Sequence, residues 1–500
     1  MEISFENKVV GTYREISHQL KRIQESMESV VPDTNDDIGR IASVQTSVLL
    51  KSKDLTGRGV SVTGEACACI LYITEGENAV SFLRLSKNFS MDFDIGDMEP
   101  DITAQINLSV TGTEARILNP RKVSVTMELS GELSCYRPET IAVESLLPGD
   151  GCRGLHARIE TAELMIANAV CEKTFAVNGQ FSFPSGKPAP ACLAFQGVDF
   201  SVNETEHIGS KLIIKGNVNL AVCYLSEEAN YPLRAEFSTP FSQIIDTGEE
   251  EMDGCSAMIA LNSAYYEIID TINGEKALDA ELHAVLQIVS HRKRSLSYIS
   301  DAYSNLMPAK CVCQSGQINC GSGMLRYRLT GEERLNVGED CADVLSVFTN
   351  AAQVSAGQGG ISAAVTLDFI YRSKSGALSA ARRLISLEGQ GPENPASIIG
   401  SRICELNIRP DGATADCRLV LELCYLSGSR LEINRVVGVT LDEEAAYDQA
   451  RFPSITLAHA GEESLWELAK NYHSSTALIR AVNAEIEPGP GRLLLIPREI

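Results

Sequence analysis

A chain of 500 residues with 44% hydrophobic content and a formal net charge of −23 has the material for several cores, about three to four domains by length alone. The acidic balance and 6% aromatic content exclude a nucleic-acid partner as an expectation, because phosphate binding needs clustered Lys and Arg and base stacking needs rings. No stretch of about 18 uncharged apolar residues suggests a membrane span.

The opening Met1 to Gly11 carries Glu2, Glu6 and Lys8 and lacks the apolar run and cleavage site of a signal peptide, so a cytoplasmic chain is expected. The fifteen cysteines sit mostly at alternating positions in apolar runs, as in Cys67, Cys69, Cys223, Cys417 and Cys424. That pattern suits reduced thiols packed as small hydrophobes. From Tyr13 to Val30 the residues Ile16, Leu20, Ile23, Met27 and Val30 recur at helical spacing, which predicts an amphipathic helix behind a short strand over residues 1–30.

From Asp37 the period changes to two. Ala66, Ala68, Ile70 and Tyr72 alternate, then a polar turn at Thr74 to Asn78 leads to a second strand; Val218, Leu220, Val222 and Tyr224 repeat this before a turn at Ser226 to Asn230. Gly57 and Gly209, Gly64 and Gly216, Tyr72 and Tyr224, and Phe89 and Phe241 all lie 152 positions apart, so the first half is an internal duplication. Downstream, Val123, Val125, Met127 and Leu129 alternate in one unit and Ala280, Leu282 and Val285 in the other. A third unit follows: Val365, Leu367, Phe369 and Tyr371, a turn at Arg372 to Gly376, then Ala415, Cys417, Leu419, Leu421, Leu423 and Tyr425 after a turn at Pro410 to Gly412. The expected architecture is mainly β, with three related antiparallel sandwich-like or barrel-like modules over residues 31–165, 166–302 and 303–450. Open edge strands leave room for homo-oligomers.

Residues 451–500 differ. A strand at Ile455 to His459 precedes Ser464-Leu465-Trp466-Glu467, an S-x-x-E capping box. Leu465, Leu468, Ala469 and Tyr472 share one helical face; Leu478, Ala481 and Val482 mark a second helix ending near Asn483; Leu493 to Ile496 closes as a strand before Pro497. The order is βααβ.

No catalytic or metal constellation assembles. Asp33, Asp36 and Asp37 suit turn and cap chemistry as well as acid–base work. Asp92, Asp94 and Asp97 do not follow the D-x-D-x-D-G pattern of a calcium loop, and Asp94 matches Asp246 by the same offset, which favours a shared turn. Cys311, Cys313 and Cys320 lack the paired C-x-x-C of a zinc site. Gly186-Lys187 is followed by Pro188 where a phosphate loop needs a hydroxyl, and Gly357 to Gly360 reads as a hairpin turn. No cofactor and no enzyme activity are expected.

The C-terminal pattern resembles a LysM domain, through Ser464-Leu465-Trp466, Leu468-Ala469, Tyr472, Asn483 and Leu494-Leu495-Ile496-Pro497. That resemblance implies a glycan-binding or partner-binding groove between the loop before the first helix, Glu462, Glu463, Ser464 and Leu465 with Trp466, and the loop after the second, Ala484, Glu485, Ile486 and Glu487. The family's usual Gly-Asp-Thr is here Glu462-Glu463-Ser464, and glutamates there suit a basic protein patch better than a neutral sugar. The preceding modules resemble the SPOCS-type domain of endospore-forming Firmicutes, through Val31-Pro32-Asp33-Thr34 with Asp36-Asp37-Ile38, the repeated Gly, Tyr and Phe, and Ile117-Leu118-Asn119-Pro120-Arg121-Lys122-Val123. The domain order is similar to that of clostridial coat morphogenetic proteins that use LysM to bind the coat-basement ATPase. The resemblance implies a scaffold in the mother-cell cytoplasm at the forespore surface; peptidoglycan anchoring through LysM is the alternative.

Overall fold

The computed structural model describes residues 2–76, 79–96, 101–146, 154–249, 251–349, 352–357, 360–390, 395–448, 451–483 and 491–498. They are mainly β, in several antiparallel sheets, with two short helices near the end.

The first module runs β2 (Glu6–Val30), β3 (Ile38–Leu55), β4 (Gly59–Thr74), β5 (Val80–Asp94), β6 (Thr103–Asn119) and β7 (Lys122–Leu146). β3, β4 and β5 form one sheet, while β6 and β2 flank β7 in another. Between them lies one core containing Ile70, Tyr72, Met91, Val125, Met127 and Leu129, each side chain worth about 1.5–3 kcal/mol on burial. The second module repeats this order in β8 (Leu155–Ser182), β9 (Cys192–Ile208), β10 (Lys211–Ser226), β11 (Ala229–Asp246), β12 (Gly254–Asp270) and β13 (Lys276–Ser304). In the third, β14 (Ala309–Asn336) precedes β15 (Cys341–Thr349), β16 (Gln353–Gly357), β17 (Gly360–Ser373), β18 (Leu378–Gly389), β19 (Pro395–Asp411) and β20 (Thr414–Leu441). Gly357 pairs with Gly360 across the expected hairpin.

Tyr13 to Val30 is therefore strand, not helix, and residues 1–30 are not a separate element. β2 pairs with β7 from Glu6 opposite Leu146 to Val30 opposite Lys122. A register shift between Glu15 and Ser17 lets Ile16, Ile23 and Met27 all pack against the module core, which imitates helical spacing. Leu20 and Val30, which a helical stripe would bury, are 58% and 61% exposed. The boundary expected at 165 also falls inside a strand, β8, because nothing in the composition marks the passage between modules.

Several of the duplicated residues share a physical role. Gly64 lies opposite Phe89, and Gly216 opposite Phe241; a Cβ at Gly64 would stand 2.4 Å from the Phe89 ring, and one at Gly216 2.0 Å from the Ser201 carbonyl oxygen. Glycine here is a requirement of the ring lying across the strand. Tyr72, Tyr224 and Tyr371 donate their hydroxyls to the Asp36 carbonyl (3.4 Å), the Pro188 carbonyl (3.3 Å) and Asp340 Oδ1 (3.0 Å), tying each module's first loop to its middle strand. Asp94 and Asp246 each accept the backbone N–H two residues on, from Gly96 and Gly248, at 3.0 Å, with both glycines at positive φ (91° and 71°). The shared turn is real.

The first and last strands of each module, β2/β7, β8/β13 and β14/β20, continue beyond the sandwiches as two-stranded ribbons. Each ribbon carries a register shift part-way: at Glu15/Ser17, at Ser290/His291 and at Gly321/Gly323. The outer halves pack on one another through Leu164, Ile166, Leu296 and Ile433, with Val10 and Ile141. β1 (Glu2–Ser4) adds to β20, so the first residues seal the first module to the third.

The smaller sheets of the three modules also converge, through Ala42, Leu71, Ala194, Cys223, Phe348 and Ile370. Arg84 donates to the Ala194 carbonyl at 3.0 Å, Arg234 to Val347 at 3.5 Å, and Arg40 to Leu378 at 2.8 Å, closing a ring from first to second to third to first. A chamber of about 1960 Å³ opens among the lobes. Arg328, Arg402 and Asp199 line it; Glu422, 5% exposed, accepts from Arg328 Nε at 3.1 Å and Arg402 Nη2 at 3.2 Å, and Arg402 also reaches Asp199 of the second module at 3.7 Å. Burial alone would raise the Glu422 pKa, but the hydrogen bond from Arg328 and the charges of Arg402 and Arg326 outweigh it and hold the carboxyl below its ordinary value.

Two outcomes follow. Gly216→Ala lowers the unfolding free energy by about 3 kcal/mol in urea titration, since backbone must move; Gly57→Ala, with nothing within 4 Å of its Cβ, leaves it within about 0.5 kcal/mol. A depressed carboxyl stabilises above its unfolded value, about 4.3, and that stability is lost as pH falls through the lower folded value. Glu422→Gln is therefore less stable than the natural chain at neutral pH, and its melting temperature falls less between about pH 4.3 and 3.

Candidate functional site

Two places in the chain carry the residues singled out by sequence. The first is the loop from Val31 to Asp37, with its three aspartates. Arg121, from the Asn-Pro-Arg-Lys element between β6 and β7, spans it: Nη2 donates to the carbonyls of Val31 (3.1 Å) and Pro32 (2.8 Å), and Nη1 to Asp37 Oδ1 (2.6 Å) and the Asn35 carbonyl (3.4 Å). Asp33 stands 3.5 Å from the same guanidinium. One planar fork thus joins the two most distinctive segments of the module, 84 to 90 residues apart. The Asp37 carboxylate takes part in holding this loop through its Oδ1. Arg121→Ala costs about 3 kcal/mol in urea unfolding, and Arg121→Lys recovers only part of it, because a single ammonium cannot reach all of these acceptors.

The second place is the C-terminal unit, β21 (Ile455–His459), α1 (Leu465–Asn471), α2 (Thr476–Val482) and β22 (Leu493–Pro497), with β21 and β22 antiparallel. The capping box forms: Ser464 Oγ accepts from the Glu467 backbone N–H at 3.3 Å, while Glu467 Oε2 accepts from the Ser464 N–H at 2.7 Å. That backbone hydrogen bond is the leading reason the Glu467 pKa lies below its ordinary value. Ser475 caps α2. Asn483 ties the end of α2 to β22, donating to the Leu495 carbonyl (2.6 Å) and accepting from its N–H (2.9 Å). Leu468, Ala469, Ile479, Leu494 and Ile496 make the core.

Of the expected contact residues, Glu462, Glu463 and Ser464 are exposed and Leu465 and Trp466 half-buried. Ala484, Glu485, Ile486 and Glu487 lie outside the described residues. Trp466 makes contacts within the chain. Its indole N–H donates to Asp301 Oδ2 at 2.8 Å, and its ring meets Tyr303 edge-on at 4.8 Å between centroids. Lys470, one turn along α1, donates to both Asp301 oxygens at 2.8 and 3.0 Å. Tyr303, 4% exposed, donates its hydroxyl to the Ser474 carbonyl at 2.7 Å and stacks on His156 at 5.1 Å.

Asp301 and Tyr303 belong to the end of β13, just past a register shift at Ile299/Asp301. Desolvation alone would raise the Asp301 pKa, but the hydrogen bonds from Lys470 and Trp466 lower it overall. The pair is partly solvated, so the Lys470–Asp301 bridge by itself adds about 0–1 kcal/mol; burial of the two rings adds to it. Nothing in the local sequence at Asp301 or Tyr303 marks them, and the only signal of a contact was an unusual residue, the single tryptophan.

The Cys311 thiol donates to the Ala302 carbonyl at 3.2 Å. Among the described residues no group of three or more His, Cys, Asp or Glu is placed to hold a metal ion, and no helix there is long and apolar enough to cross a membrane.

The class is a chain of three successive β-sandwich modules on a shared ribbon bundle, with a small helix-containing unit clasped to the second. Residues 37–118 match the family described as SipL, SPOCS domain, so this part of the first module is similar to a SPOCS domain. That span runs from the loop held by Arg121 to the end of β6. No curated protein and no solved structure matches the chain.

Proposed function

We propose that this chain is a non-enzymatic assembly protein of the spore coat, that residues 451–500 are a LysM domain, and that this domain recruits the chain to a coat-basement protein, an ATPase by the resemblance, in the mother-cell cytoplasm at the forespore surface. The observation that carries the reading is the SPOCS-type match over residues 37–118. Supporting it is the C-terminal unit, whose strand–helix–helix–strand order, capping box and Asn483 tether suit LysM.

A protein partner is favoured over peptidoglycan. The one tryptophan turns toward Asp301 instead of offering a ring face to sugar, and Glu462 and Glu463 place two carboxylates at the loop where the family carries glycine and aspartate. The acidic net charge suits a basic partner surface, which it would draw in by long-range attraction.

A fluorescent fusion of the full chain should gather around the forespore, while the same fusion ending at residue 448 should stay diffuse in the mother cell. Purified full chain should remain in the supernatant with peptidoglycan sacculi. Pelleting with sacculi, or forespore localisation without the C-terminal unit, would count against recruitment through a protein.

A further inference from the structure

The contact between α1 and β13 describes the chemistry that this face of the C-terminal unit accepts. An extended strand offers a carboxylate, and two residues later an aromatic ring with a hydroxyl. The carboxylate sits between an indole N–H and an ammonium group (2.8 Å from each), the ring meets the indole edge-on, and the hydroxyl reaches the Ser474 carbonyl at 2.7 Å. Side chains on a strand alternate, so residues two apart share a face and can be read together. A third determinant comes from the ring's other side, where His156 stacks and fixes its orientation.

The residues that line this face, Leu465, Trp466 and Lys470, include two of those expected to meet a partner. In the folded chain they are already engaged, and Leu465 and Trp466 pack on a cluster that contains Tyr303 itself. An ion pair whose side chains remain 43% and 30% exposed is open to exchange with water and with competing groups.

We propose that the α1 face is a recognition surface for an extended segment bearing an acidic residue and, two positions on, an aromatic residue, that Asp301 and Tyr303 fill it in cis, and that a protein partner carrying such a segment engages it by displacing them. The partner in this statement rests on the assembly reading above; the surface and its internal occupant do not.

Because Trp466 is the chain's only tryptophan, its emission reports the contact directly. In full-length protein, Asp301→Ala and, independently, Lys470→Ala should shift that emission to the red and raise its quenching by acrylamide at least twofold. The probe for recognition is a labelled peptide with the sequence of residues 297–305. It should bind the Asp301→Ala/Tyr303→Ala chain at least tenfold more tightly than the natural chain, whose site is filled. The peptide carrying both alanines should not bind. Unchanged emission in both single variants, or equal affinity of the peptide for the natural and vacated chains, would overturn the proposal. Neither assay involves the coat: a positive result with a fusion that ignores the forespore would remove the assembly reading and leave the surface standing.

Discussion

Long-range pairing between the first and last strands of each module is the constraint on which the rest depends. Strands in globular proteins usually span about 5–6 residues, whereas β2, β8, β13, β14 and β20 run to 25, 28, 29, 28 and 28. Only the inner part of each ribbon is covered by its own smaller sheet. The outer part would expose both faces to water, and the remedy is to pack the three ribbons on one another through Leu164, Ile166, Leu296 and Ile433. The modules are consequently lobes of one body, not beads on a string. The same constraint fixes where the C-terminal unit sits: β13 ends at Ser304, so Asp301 and Tyr303 are carried out to the end of the bundle where α1 can reach them.

The three lobes share a plan but not their joints. Cys69 and Asp368 each precede the module tyrosine by three positions, and each faces an arginine across the strand, Arg84 and Arg382. In the first module the thiol makes no claim on the guanidinium, and Arg84 extends to the second module's carbonyls at Leu193 and Ala194. In the third, Asp368 holds Arg382 at 2.7 and 3.2 Å and also accepts the hydroxyl of Ser43 from the first module at 2.9 Å. One change from thiol to carboxylate redirects the arginine and reverses which side donates across the joint. A buried carboxylate without such partners would cost several kcal/mol, so divergence at this position has to be matched in the neighbouring lobe.

What was legible in the sequence was what a single module needs for itself. Alternation, the glycine under a phenylalanine ring, the tethering tyrosine and the aspartate turn are local requirements, and duplication displays them twice. The ribbons were not legible for the opposite reason. Their buried residues are dictated by other modules, and a bulge breaks the phase of two on which strand recognition relies; at Ile16, Ile23 and Met27 the broken phase imitates a helix. In the C-terminal unit the cap at Ser464 could be read from spacing, whereas the partner of Trp466 lies 165 residues away on a strand whose own pattern is unremarkable. Arg121, from the other distinctive segment, lies beside both Asp33 and Asp37, a long-range contact that neither segment shows by itself.

The clasp and the charge of the chain bear on each other. Residues 451–500 hold five basic and six acidic residues, a net of −1 within a total of −23, so nearly all the negative potential belongs to the body. That potential favours holding Lys470 against Asp301 and is weakened by salt over a Debye length of about 8 Å. Tethering adds to the advantage: a short linker keeps a docked unit at an effective concentration of about millimolar, so even weak contacts persist in cis. A soluble partner at micromolar concentration has to bind the same face about a thousandfold more tightly to compete on equal terms. A partner assembled in many copies on a surface does not face that requirement, because neighbouring chains can engage it together. An internally occupied recognition face is thus suited to discriminate an assembled surface from its free subunits.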